Sequence, residues 1–158
     1  MKKLFEIDRV TNVYPVACLE LKTDPFVKDD FFKKGQFKFY FWDDFNDLVL
    51  ENLPQEIPAF KGKILKNRLL KRMSDSEILA ELPNSSPFSI EEFASIIKHL
   101  LEKNLAGYFN VFYIQLKNQQ IVTVDVHWNF RCNERDIRLF NLGDYTWRED
   151  SCVFSRTV

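Results

Sequence analysis

Glycine is scarce in this chain. Its four residues, Gly35, Gly62, Gly107 and Gly143, stand singly, so neither a GxGxxG dinucleotide fingerprint nor a P-loop can be written from them. No GxSxG elbow or HExxH pair occurs either, which removes common hydrolase and metalloprotease signatures. Histidine is limited to His99 and His127. With three scattered cysteines and no CxxC or HxxxH spacing, no metal site and no cofactor are expected. Cys18, Cys132 and Cys152 make an odd count, which fits thiols kept reduced in a cytoplasm and not a disulfide framework.

Long apolar runs are missing too. Phe39–Trp42 and Val111–Ile114 are among the longest, far short of the roughly 20 residues a membrane-crossing helix needs. The start, MKKLFEIDRV, interrupts its apolar residues with Glu6, Asp8 and Arg9. A signal peptide is therefore not expected, and the location expected is cytoplasmic, with no membrane partner.

Bulk charge is nearly absent: the formal net charge is −1, which gives no general attraction to nucleic acid or anionic lipid. Its distribution is uneven. The segment 61–72, KGKILKNRLLKR, holds Lys61, Lys63, Lys66, Arg68, Lys71 and Arg72 and no acid. This leaves 16 of the 22 basic residues to set against all 23 acidic ones elsewhere. A positive patch on an otherwise acidic protein is a candidate binding feature.

What is abundant is phenylalanine, with 16 residues in 158. Each ring buries a large area, so the excess points first to a packed core. The length suits one domain spanning residues 1–158, and no repeat or Gly/Ser linker divides it.

The pattern along the chain predicts an α+β fold. Val10–Leu21 leans to strand, although Pro15 suggests an edge or a break. A short helix is expected over Pro25–Lys34, with Asp24 as N-cap, Pro25 at the first position and Gly35 just beyond the end. Phe37, Phe39 and Phe41 alternate with Lys38, Tyr40 and Trp42 as a strand with one aromatic face. Asp43 or Asp44 then caps a helix carrying Phe45, Leu48 and Val49 on one face. From Lys63, the residues Leu65, Leu69, Leu70 and Met73 fall on one helical arc, with Arg68, Lys71 and Arg72 opposite. Lys66 interrupts that arc, and the segment also permits a strand.

Two capping boxes follow. Ser74 and Glu77 can satisfy each other's amides between Met73 and Ile78. Ser89 and Glu92 repeat the device between Phe88 and Phe93. Helices are expected over Asp75–Leu82 and Ile90–Lys103. The last third reads as an antiparallel meander of Phe109–Lys117, Ile121–Cys132, Ile137–Leu142 and Trp147–Ser155. In the second strand Val122, Val124, Val126, Trp128, Phe130 and Cys132 alternate with Thr123, Asp125, His127, Asn129 and Arg131. That alternation predicts a mainly antiparallel sheet with helices packed on one face and water on the other.

Three functional readings follow. Asp125, His127 and Arg131 share the polar strand face, where a carboxylate could tune an imidazole base and Arg131 could hold an anion. No nucleophile or second carboxylate is fixed beside them, and a solvated face must be polar in any case. The basic segment could contact phosphates. The order helix, helix, helix, hairpin over about 63–127 resembles a winged helix, and the resemblance implies a DNA-binding module. Against it, Glu91 and Glu92 open the presumed recognition helix, and Lys117 is the one charge at the presumed wing tip. The third reading, adopted here, is a non-catalytic protein-interaction module of inhibitor or adaptor type. Its expected contacts are the basic residues Lys61 to Arg72 and Trp147, because Trp and Tyr are favoured interface anchors.

Overall fold

The structure, a computed structural model, describes residues 11–158. The start that argues against a signal peptide, and Val10 of the first expected strand, lie outside the described residues. In chain order the elements are β1 (Val13–Lys22), β2 (Phe26–Val27), α1 (Lys28–Phe32), β3 (Phe39–Phe41), α2 (Asp43–Leu48), β4 (Glu56–Ile57), β5 (Lys61–Leu69) and β6 (Met73–Ser74). They continue with α3 (Asp75–Glu81), β7 (Phe88–Ser89), α4 (Ile90–Glu102), β8 (Phe109–Gln115), β9 (Ile121–Asn129), β10 (Glu134–Asn141), β11 (Thr146–Trp147) and β12 (Cys152–Arg156). The class is α+β. The central sheet runs β1-β5-β12-β8-β9-β10-β3, with β7 also paired to β8, and most of its pairs are antiparallel.

Both capping boxes form. Ser74 Oγ accepts from Glu77 N while Glu77 Oε1 accepts from Ser74 N, and Ser89 and Glu92 do the same. The flanking staples close, with Met73, Ile78, Phe88 and Phe93 all buried. α4 lays Ile90, Phe93, Ala94, Ile97, Leu100 and Leu101 on the sheet, and Phe93 meets Phe112 edge-on at 5.0 Å between centroids. Burying such a ring contributes about 1.5–3 kcal/mol. Phe31, Phe32, Phe39, Phe41 and Phe45 extend this cluster in a run of close ring contacts.

Three expectations fail locally. Phe26 and Val27 pair with Ile57 and Glu56, so α1 starts only at Lys28, without a side-chain cap. Asp24 and Pro25 therefore precede a strand pair, not a helix. Gly35 is instead required by close approach, since a Cβ there would lie 2.6 Å from the Phe31 carbonyl oxygen. Likewise Trp42 is the N-cap of α2, and Asp43 and Asp44 occupy its first turn, where negative charge favours the helix dipole.

The larger correction is that the polar face of β9 is not wet. Thr123 and Asp125 are fully buried, because a second layer covers that side. A cluster of Leu69, Met73, Ile78, Val111, Tyr113, Trp147 and Val153 forms there, separate from the α4 core. The helices thus divide between the two faces, with α4 on one and α3 on the other. The expected strand Trp147–Ser155 breaks in two. Thr146–Trp147 pairs with Met73–Ser74, Asp150 turns with φ 70°, and β12 inserts between β5 and β8, antiparallel to the first and parallel to the second. β8, β9 and β10 pair antiparallel in chain order, and β12 leaves that series.

Candidate functional site

The basic segment is a strand, β5, held between β1 and β12. Alternation therefore places Lys61 and Lys63 on one face and Lys66 and Arg68 on the other, with Lys71 and Arg72 in the turn beyond. The half-buried Lys66 spends its charge internally, donating from Nζ to the Leu105 carbonyl at 2.8 Å. No helix exists here, so the winged-helix order fails at its first element. Glu91 pairs with Lys117, which occupies the only charge of the presumed wing tip.

Trp147, the expected aromatic anchor, is fully buried. Its Nε1 donates to Asp75 Oδ1 at 2.8 Å, and Tyr113 Oη donates to the same atom at 2.8 Å. Thr123 Oγ1 and the Gly143 amide donate to Oδ2 at 3.2 and 2.8 Å. Asp75 thus ties the start of α3 to β8, β9 and the β10–β11 turn, a structural role. Burial, with the Asp75 charge and hydrogen bond behind it, pushes the Tyr113 phenol far above its ordinary ionisation range.

Asp125 and His127 do come together, with Nδ1 3.1 Å from Asp125 Oδ2. Arg131 does not join them. It lies exposed in the turn after β9, and Arg138 takes its expected place, with Nε 3.0 Å and Nη2 2.5 Å from the same oxygen. A second carboxylate also stands nearby, since His127 Nε2 is 3.7 Å from Asp136 Oδ2. Both imidazole nitrogens therefore face carboxylates, and the ring stacks on Phe109 at 5.5 Å. Among the described residues no hydroxyl or thiol hydrogen-bonds to it, and Thr123 Oγ1 is committed to Asp75. Asp125, Arg138, His127 and Asp136 thus form a charge network between β9 and β10, with no nucleophile hydrogen-bonded to the imidazole among the described residues.

The remaining candidates separate by burial. Cys132 is exposed and Cys152 is buried, the former against the strand alternation because β9 ends at Asn129. Burial pushes the Cys152 thiol up. Burial, helped by Lys103, lowers the pKa of the His99 imidazole near the end of α4. Trp128 is half-buried, with the Arg135 guanidinium 5.4 Å from its ring centre.

What the sequence reading missed lies at the other edge of the sheet. Phe109, His127, Asp136 and Tyr40 stand directly opposite one another across β8, β9, β10 and β3, and such neighbours share a face. At the outer end of this row a cavity of about 560 Å³ is lined by Tyr40, Trp42, Asp43, Asp44, Asp136 and Leu139. Tyr40 is 55% and Trp42 43% exposed. Asp43 and Asp44 make no ion pair among the described residues. Asp136 is 8% exposed; its Oδ2 accepts from Asn129 Nδ2 at 3.2 Å, and its Oδ1 has no hydrogen-bond partner among the described residues. The signal was present in FYFWDDF. When Phe39 and Phe41 point inward, Tyr40 must point outward, with two acids close behind.

No helix among the described residues is long and apolar enough to cross a membrane. No protein-family model matches the chain, and no curated protein and no solved structure is significantly similar to it.

Proposed function

We propose that this chain is a non-catalytic protein-interaction module, of inhibitor or adaptor type, that docks its partner at the β10–β3 edge and not through the basic segment. The observation that carries this reading is the exposed pair Tyr40 and Trp42 beside an acidic groove at the end of the sheet. Large aromatics held on a rigid strand bury much area for little rotamer entropy, the character of interface anchors. The lack of any hydroxyl or thiol hydrogen-bonded to His127 among the described residues speaks against the enzyme reading. The spread of basic residues over two faces of β5 speaks against a phosphate-binding stripe. Three free thiols, Cys18, Cys132 and Cys152, support a reducing compartment such as the cytoplasm.

The test is recovery of a stoichiometric partner by the intact chain, repeated with Tyr40→Ala/Trp42→Ala. The double variant is expected to lose the partner while keeping its melting midpoint. Undiminished recovery would place docking elsewhere.

A further inference from the structure

We infer that the groove is a cation pocket, taking the guanidinium or ammonium group of a basic, extended segment of a protein partner laid along the outer edge of β3. The inference rests on the docking reading above and supplies the chemistry of its partner. Three observations converge. First, the floor of the groove holds a carboxylate whose charge is not answered. The Asp136 side chain is only 12% exposed and accepts one hydrogen bond, from Asn129 Nδ2 to Oδ2; no Lys or Arg pairs with it, and its Oδ1 lacks a donor, among the described residues. A buried acceptor left without a donor is costly, so the site favours a ligand that brings one. Asp43 and Asp44 suit the first turn of α2, but that role does not explain the vacant oxygen of Asp136.

Second, the walls are aromatic. Tyr40 and Trp42 line the same cavity as the three carboxylates, and an aromatic face with nearby carboxylates favours an organic cation. Arg138 already lies 5.6 Å from the Trp42 ring centre, with its charge answered by Asp125. No group of three or more His, Cys, Asp or Glu among the described residues is placed to hold a metal ion, and the aromatic walls suit an organic cation.

Third, the edge is open. The Lys38 carbonyl and the Trp42 amide bond inward to β10, so alternation turns the backbone groups of Phe39 and Phe41 outward. β3 ends the sheet, with no strand beyond it among the described residues. A chain segment added there would gain backbone hydrogen bonds and could deliver one side chain into the groove. A free small cation could use the carboxylates but not the edge.

The test is an NMR titration of the isotope-labelled full chain with three probes: an acetylated, amidated Thr-Val-Arg-Val-Thr peptide, the same peptide with neutral citrulline replacing arginine, and acetyl-arginine amide. The arginine peptide is expected to shift the amides of Phe39 to Asp44 and of Asp136. It should bind about tenfold more tightly than the citrulline peptide, and Asp136→Asn should remove most of that difference. Asp43→Asn/Asp44→Asn, at exposed positions, should reduce it several-fold even if the Asp136 variant folds poorly. Equal binding of arginine and citrulline peptides, or shifts confined to another surface, overturns the inference. Acetyl-arginine amide binding as tightly as the peptide overturns it as well, since the edge would then contribute nothing. If those peptides fail to discriminate while partner recovery still depends on Tyr40 and Trp42, docking stands and the cation chemistry falls. Recovery indifferent to both residues removes the docking reading itself.

Discussion

Tyr113 and Trp147, from opposite ends of the C-terminal third, donate to one atom: each lies 2.8 Å from Oδ1 of Asp75. Because Asp75 is the first residue of α3 and is 1% exposed, one carboxylate aligns a helix start, three strands and a turn within the second core.

Removing that carboxylate should be severe. Asp75→Ala leaves the Tyr113 and Thr123 hydroxyls, the Trp147 indole and the Gly143 amide without an acceptor, at a cost of about 3–5 kcal/mol. Tyr113→Phe removes one donor and should cost about 1–2 kcal/mol. Urea denaturation measures both, and an Asp75→Ala loss below about 1 kcal/mol would contradict the hub role.

The helix starts supply a second prediction. Ser74→Ala with Ser89→Ala removes both side-chain caps and should cost roughly 1–3 kcal/mol in total. The melting midpoint of the double variant should fall; an unchanged midpoint would contradict the caps.

Glu92 supplies the pH dependence. Burial opposes its ionisation, but the Arg156 guanidinium at 2.6 and 3.2 Å and the Ser89 amide outweigh it and hold the carboxyl below its ordinary value of 4.5. A carboxyl depressed in the folded state binds its proton less readily than in the unfolded chain. Its contribution is therefore full above the ordinary value and lost as pH falls through the lower folded one. The stability gap between the native chain and Glu92→Gln, followed by denaturation from pH 7 to pH 3, should narrow only below pH 4.5. A gap constant over that range would show that ionised Glu92 contributes nothing.

Gly107 and Cys152 form a tight pair. A Cβ on residue 107 would lie 2.7 Å from Cys152 Sγ, so Gly107→Ala should destabilise by about 1–3 kcal/mol through overpacking. Adding Cys152→Ala removes the sulfur and should recover part of the loss; two strictly additive losses would contradict the contact. In the native chain Cys18 and Cys132 should react with a thiol reagent well before Cys152, whose thiol is buried and raised.

The sequence was most readable where its signals are local. Ser74 with Glu77 and Ser89 with Glu92 need only four adjacent residues, and both boxes form as expected. β9 shows its period just as clearly, but period alone does not say what covers a face. Thr123 and Asp125 look solvated because their partners, Asp75 and Arg138, come from other elements. β5 was ambiguous for the same reason: Leu65, Leu69, Leu70 and Met73 fit a helical arc, and only pairing with β1 and β12 decides for strand. The groove depended on the longest reach. Tyr40 and Asp136 meet through the parallel pairing of β3 with β10, a contact that no local pattern encodes.

The proposed binding surface is the acidic edge groove and not the basic segment. Fluorescence anisotropy at low and near-physiological salt tests it most directly, with the labelled arginine peptide and labelled nucleic acid as probes. The native chain would be compared with an Asp43→Lys/Asp44→Lys variant and with charge reversals at Lys66, Arg68, Lys71 and Arg72. Peptide binding should be lost in the groove variant and kept in the reversed one, with no nucleic-acid binding at either salt. Salt-sensitive nucleic-acid binding abolished by the reversals, with peptide binding indifferent to the groove, would contradict it.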